Sequence, residues 1–195
     1  MNKPPRTVGY SDEGGNWMRY EVRLEALAEK DYLVAKGFVE LGGSTPDAYA
    51  AQEELYQQWL ADDTAGRLQK ASGADKLFVL FCHTCVLDEQ TGGYICGNDL
   101  AGEITKDAVA DEFDTIHLFP SEYAVFTCEL DEEQTITQAY RALDDMYWGE
   151  WLPAGPYESN IETTTGANTP GIACISLRDG ARLTVWYPVR RKETA

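Results

Sequence analysis

Apolar residues recur along this chain in two rhythms, and the order of those rhythms comes round twice. Tyr20 to Leu27 alternates apolar and polar positions, as a half-buried strand does. A second strand is expected from Tyr32 to Leu41, stopping at Gly42-Gly43. Ser44-Thr45-Pro46 then supplies a helix N-cap and a first-turn proline. Ala48, Gln52, Leu55, Tyr56, Trp59 and Leu60 follow near helical spacing, and Gly66 and Gly73 punctuate the far end. From Lys76 the run KLFVLFCHTCVL is β-prone, Asp88 to Gly93 is a turn cluster, and Tyr94-Ile95-Cys96-Gly97 starts a shorter strand, which makes a hairpin. Past a polar connection at Lys106 to Asp111 the order begins again. Strands are expected near Phe113 to Phe119 and Tyr123 to Leu130, then a helix opened by Thr135 and running through Trp151. A polar loop to Pro170, a strand from Ile172 to Leu177, a turn at Arg178-Asp179-Gly180 and a last strand from Arg182 to Val189 complete it.

A shift of the chain against itself by 92 positions superposes features of several elements. Leu33-Val34 falls on Val125-Phe126, Leu55-Tyr56 on Tyr147-Trp148, and Trp59-Leu60 on Trp151-Leu152; Cys82 falls on Cys174, and Tyr94-Ile95 on Trp186-Tyr187. The expected fold is therefore α+β: two pseudo-twofold-related βαββ repeats forming an antiparallel sheet, with two main helices and a central cleft. Residues 1–19, rich in proline and glycine, read as a flexible leader, 20–106 as the first module and 107–195 as the second. Two half-size modules each expose a sheet edge, and pairing them covers it while leaving a groove at the joint.

Charge narrows the partners. Thirty-three acidic against sixteen basic residues give a formal charge of −17, which repels phosphate backbones and anionic lipid. Direct nucleic-acid or membrane binding is not expected, whereas a cationic ligand or a basic protein partner is attracted. Arg190, Arg191 and Lys192 read as a solvated tail. No apolar run has signal-peptide or membrane-span length, so a cytoplasmic location is expected. Five cysteines in apolar stretches read as reduced buried thiols.

The run from Tyr123-Ala-Val-Phe126 through the helix to Trp151-Leu-Pro153, then Gly155-Pro-Tyr157 and Trp186-Tyr-Pro-Val189, resembles the closing half of the GyrI-like small-molecule-binding family, the AraC-type effector-binding domain. Val22-Arg-Leu-Glu-Ala-Leu27 and Gly93-Tyr-Ile95 with Gly97 suit its first half. The resemblance implies a pseudo-twofold sheet with a central cleft for lipophilic or cationic ligands, and no cofactor. It also implies a strand glutamate that neutralises the ligand; here Gly171-Ile-Ala-Cys-Ile175 puts Ala173 or a neighbour in the acid's place. A free-standing binder, sensing or sequestering a lipophilic or aromatic molecule, is the function so implied. Its alternatives are a hydrolase of strained cyclopropanoid compounds, as some free-standing relatives are, and an acidic module that binds a basic protein. Residues 1–19 are too short for a helix-turn-helix.

The candidate ligand-binding residues are mostly aromatic. Tyr147, Trp148, Trp151 and Tyr157 group at a helix end, matched by Tyr56 and Trp59 in the other half, with Phe81 and Tyr94 on strands. Alternation puts His83 on the face of Phe81, where it could meet a ligand or serve as acid or base; a core histidine is the plainer reading. Glu158 or Glu162, in the polar loop, could reach back to supply the missing acid. Cys82-His83-Thr84-Cys85 has metal spacing, but strand geometry points its cysteines to opposite faces, so no metal site is expected.

Overall fold

A computed structural model describes residues 6–11, 17–42, 47–105, 108, 112–130, 135–161 and 174–193, with side chains described except at 6–11, 17–18, 41, 48, 82–85 and 174–175. The strands are β1 (Arg6–Ser11), β2 (Trp17–Leu27), β3 (Lys30–Ala35), β4 (Phe38–Leu41), β5 (Leu77–Leu87), β6 (Tyr94–Glu103), β7 (Asp114–Leu118), β8 (Ser121–Glu129), β9 (Tyr157–Ser159), β10 (Cys174–Asp179) and β11 (Arg182–Arg191). They form one antiparallel sheet in the order β1-β2-β8-β11-β10-β5-β6-β3-β7, with β4 added to β6 and β9 to β11. Helices α1 (Ala48–Ala61), α2 (Thr64–Ser72) and α3 (Ile136–Met146) complete the α+β architecture.

The leader expected over residues 1–19 is in part strand. Arg6–Ser11 carries Thr7, Val8 and Tyr10, β-prone residues that pair with the otherwise free edge of β2. Helix α1 is capped by Asp47, whose carboxylate accepts from the amides of Tyr49 and Ala50. The cap read from Ser44-Thr45-Pro46 lies outside the described residues. The second helix opens as expected on Thr135, in a capping box with Gln138. A third helix, α2, was not separated in the sequence reading; it starts after Asp63, which takes a left-handed backbone at φ 61°, and closes at Gly73.

Connectivity across the sheet is exchanged. β2 and β3 are consecutive, yet β2 pairs with β8 while β3 pairs with β7. Leu24 lies opposite Ala124, and Tyr32 opposite Ile116. The shift of 92 carries Leu24 onto Ile116 and Tyr32 onto Ala124, so each pairing maps onto the other. The same shift fails in the hairpins. Trp186 lies opposite Val125, and Leu33, the counterpart of Val125, lies opposite Gly102. Trp186 therefore corresponds to Gly102 and not to Tyr94, because the β5–β6 hairpin has both longer strand arms and a longer turn than the β10–β11 hairpin.

Two apolar layers result. On one face α1, α2 and α3 cover Leu33, Val79, Phe81, Leu100, Phe126, Val185 and Tyr187. The other face holds Tyr32, Val34, Leu80, Ile116, Tyr123 and Val125, and among the described residues no helix side chain belongs to this cluster. These residues are buried because the sheet curls. The β2–β3 and β7–β8 turns come together, with Leu27, Tyr32, Leu118, Phe119 and Tyr123 around one small hollow. Burial on both faces explains why β3 reads Tyr32-Leu-Val-Ala35 without alternation.

Cysteine usage differs from the expectation of five reduced thiols. Cys128 is free and buried, its thiol pushed up to about 11 by desolvation. Cys96, on β6, is disulfide-bonded. Apolar surroundings suit a thiol and a half-cystine equally, so the local sequence does not separate them. No described helix is long and apolar enough to cross a membrane.

Gly37 sits where β3 hands over to β4. Its amide donates to Asp99 Oδ1 at 3.1 Å and its carbonyl accepts from the Asn98 amide at 2.8 Å. A Cβ there would lie 2.6 Å from Leu55 Cδ2, 2.7 Å from Trp59 Cζ2 and closer still to the Asn98 carbonyl oxygen. Gly37→Ala should therefore cost about 1–3 kcal/mol by overpacking. Urea unfolding should show a lower midpoint at unchanged slope; a wild-type midpoint would mean that this crossing yields freely.

Candidate functional site

Helix α3 buries Ala139, Tyr140, Leu143, Met146 and Tyr147 against the sheet. Asp144 stands one helical turn beyond Tyr140 and projects toward that same side. Its Oδ2 accepts from the Tyr49 hydroxyl of α1 at 2.8 Å, and its Oδ1 accepts from the Tyr187 hydroxyl of β11. One carboxylate thus ties together two helices and the sheet. Tyr49 is held in turn by Tyr140, ring centroids 5.6 Å apart, and by Arg141, whose guanidinium lies over its ring at 5.4 Å and pairs with Asp47.

The electrostatics of Asp144 follow from this enclosure. The residue is half-buried, and desolvation of its carboxylate raises the pKa from 3.8 to about 6 against the two hydroxyl donors, which lower it; neighbouring Asp145 raises it further. The same enclosure raises the Tyr49 phenol, chiefly by desolvation and then by the Asp144 charge. The result is an acid that ionises near neutrality, set among phenol rings.

After α3 the backbone makes a π-helical turn over Tyr147–Trp151 and one further turn over Leu152–Ala154. Inserted turns of this kind realign side chains on a helix and recur at functional sites. Here they put four rings in a row: Tyr187 on Tyr147 at 4.0 Å, Tyr147 on Trp151 at 6.1 Å and Trp151 on Tyr157 at 5.6 Å, all near parallel. Phe126 meets three of them edge-on. The row ends on Tyr187, the donor to Asp144.

A second polar group lies under α1. Arg178 of β10 donates to Glu53 at 2.9 Å, and its guanidinium stacks 4.2 Å from the Tyr56 ring. Asn98 of β6, 1% exposed, accepts from Gln52 at 3.0 Å. With Leu55, Trp59 and Ser176 these side chains line a narrow crevice. Asn98 pairs across the sheet with Phe81, and Phe81 lies edge-on to Tyr140 at 5.1 Å.

The residues predicted from sequence are distributed unequally over this region. Tyr147, Trp151 and Tyr157 come together in the ring row, with Trp148 exposed at its edge, 46% accessible, against Tyr147. Trp59 lines the crevice, Tyr56 stacks on Arg178, and Phe81 packs against Tyr140. Trp59 and Trp151 do not face one hollow: Trp59 packs among Leu55, Val79 and Asn98, Trp151 between Tyr147 and Tyr157. Tyr94 is exposed at the start of β6, and Glu158 pairs with Arg190 at the surface. His83 lies in β5 but its side chain is outside the described residues, as are Glu162 and Ala173. Asp144, Tyr49, Asn98 and Arg178 were not anticipated. A signal for Asp144 existed, an acid four residues from Tyr140 and three before Tyr147 on an otherwise apolar helix face.

Three solved structures share this architecture. SAV2435 bound to tetraphenylphosphonium aligns with a TM-score of 0.61 at 17% identity, over 87% of this chain and 94% of that one. A bacterial transcription regulation protein from Staphylococcus aureus MU50 aligns at 0.54 and 16% identity, over 87% and 98%. An integron cassette protein from the mobile metagenome of Vibrio cholerae aligns at 0.54 and 11% identity, over 87% and 95%. No family model and no curated protein matches the chain. At these identities the likeness is one of fold, and it is the α+β fold that the GyrI-like resemblance implied.

Titration of Asp144 gives a signed expectation. Folded, the group holds its proton up to about pH 6; unfolded, it releases it near 3.8. Its protonated form therefore contributes stability in full below about pH 4, and that contribution is lost as the pH rises through about 6. Asp144→Asn removes the titration. The difference in unfolding free energy between wild type and variant should change by about 2–3 kcal/mol between pH 4 and pH 7. Urea unfolding at each pH measures it, and parallel pH profiles would show that Asp144 titrates as a solvated acid.

Proposed function

We propose that this protein binds lipophilic, aromatic cations between α1, α3 and the sheet, with Asp144 as the counter-charge. The observation that carries this reading is a desolvated carboxylate held by two phenols, one of them the end of a stacked aromatic row. Aromatic rings attract a cation through their faces and the acid neutralises it, and both effects grow where water is excluded. The fold shared with SAV2435, whose structure holds tetraphenylphosphonium, points the same way. So does the −17 formal charge, which concentrates cations at the surface.

In this reading the acid comes from a helix, whereas the family resemblance implies one on the strand, at the place of Ala173. A carboxylate serves a delocalised cation from either element, provided it is dry and ringed by aromatics. The reading is that of a free-standing binder, sensing or sequestering its ligand. Both neighbours of Asp144 fit the task. A phenol can donate to the carboxylate while presenting its ring to the ligand.

Tetraphenylphosphonium should quench the tryptophan fluorescence saturably, since Trp151 belongs to the row and Trp148 lies at its edge. Asp144→Asn should weaken that binding about tenfold or more while leaving neutral triphenylphosphine oxide unaffected. Lowering the pH from 7.5 to 5 should weaken the cation alone, again by about tenfold, as Asp144 takes up its proton. Equal affinity of wild type and Asp144→Asn for tetraphenylphosphonium, or no binding to either, would overturn the reading.

A further inference from the structure

The crevice beside Asp144 contains two buried hydrogen-bond donors without acceptors. Asn98 Nδ2 and Arg178 Nε both lack a partner among the described residues. Neither side chain is loose. Asn98 is held through its Oδ1 by Gln52, and Arg178 through Nη1 by Glu53 and through its face by Tyr56. Orphaned donors in such a place carry an unrelieved desolvation cost, which an acceptor oxygen from a ligand would remove.

The surroundings select among acceptors. Arg178 is already neutralised by Glu53. A carboxylate or phosphate entering here would face that acid in a strongly acidic protein. A neutral carbonyl oxygen accepts from both donors without that repulsion. Placement ties the crevice to the cation site. Tyr49, which donates to Asp144, stands three residues before Gln52 and seven before Tyr56 on α1, about 5–10 Å along the helix axis.

We infer that the Asn98–Arg178 crevice is a second anchoring point of the same binding site, which takes a neutral carbonyl oxygen. The preferred ligands are therefore aromatic cations that carry a ketone or amide about 5–10 Å from the positive charge. This deepens the reading of a cation binder and rests on it. As it stands the crevice is too narrow for a water molecule. Occupation requires Leu55 or Trp59 to swing outward, and Gly37 beneath them offers no room on the inner side.

The test compares two probes by titration calorimetry on the intact protein. One is (4-benzoylbutyl)triphenylphosphonium, with a ketone four methylenes from phosphorus; the other is (5-phenylpentyl)triphenylphosphonium, its methylene counterpart. The ketone should bind about tenfold tighter, the worth of one well-made hydrogen bond to a charged donor. That advantage should vanish in Asn98→Leu and in the double variant Glu53→Gln/Arg178→Met, with affinity for the methylene probe retained. Equal binding of both probes to wild type overturns the carbonyl anchor and leaves the cation site standing. Failure of both probes to bind overturns the cation site, and the anchor with it. The wild-type comparison decides the matter even if a crevice variant does not fold.

Discussion

The structure depends on an exchange of strands. β2 leaves its neighbour in sequence to pair with β8, and β7 does the same toward β3, so neither half of the chain can complete its sheet without the other. A register slip of one residue in the β2–β8 pairing would turn Tyr20 and Val22 from the helix-covered face to the other. Both pairings run over several residues and bury apolar side chains on both faces, which fixes them. At the centre β10 meets β5, with Cys174, Ile175 and Ser176 opposite Phe81, Leu80 and Val79. The strands there also carry polar residues.

Those polar residues lie where the two halves meet. Arg178 on β10 and Asn98 on β6 approach from opposite halves of the sheet, and α1 lies over both. Asp144 reaches the same region from α3. A buried polar group costs stability unless it is paired, so a protein that gathers an acid, an arginine and an amide under one helix is arranged around contacts other than its own packing. Tyr49 and Tyr187 answer part of that cost at Asp144. At Arg178 and Asn98 two donors remain unanswered among the described residues.

Of the site, the sequence revealed the aromatic content and little of its use. Tyr147, Trp151 and Tyr157 stand at spacings that announce a cluster, and they form one. Trp59 and Trp151 stand 92 apart and were expected to face each other; the π-helical turn and the stacked row on Trp151 have no match around Trp59, which packs against Gly37 instead. Arg178 was read as part of a turn because it precedes Asp179-Gly180. Only the strand register shows its side chain directed inward to Glu53, 125 residues earlier in the chain.

What the sequence determined alone is most of the inventory and order of elements, β1 and α2 apart: alternation marks β2 and the hairpins, helical spacing marks α1 and α3, and the capping residues mark where α3 begins. These are local properties, set by backbone geometry and nearby side chains. Which strand pairs with which, and hence which side chains share a face, is decided by long-range contacts that cover apolar surface on both sides of a curled sheet. Tyr49, Asp144 and Tyr187 are separated by 95 and 43 residues. Nothing local in the chain foretells that they meet, because their meeting is a consequence of closing the whole sheet under its helices.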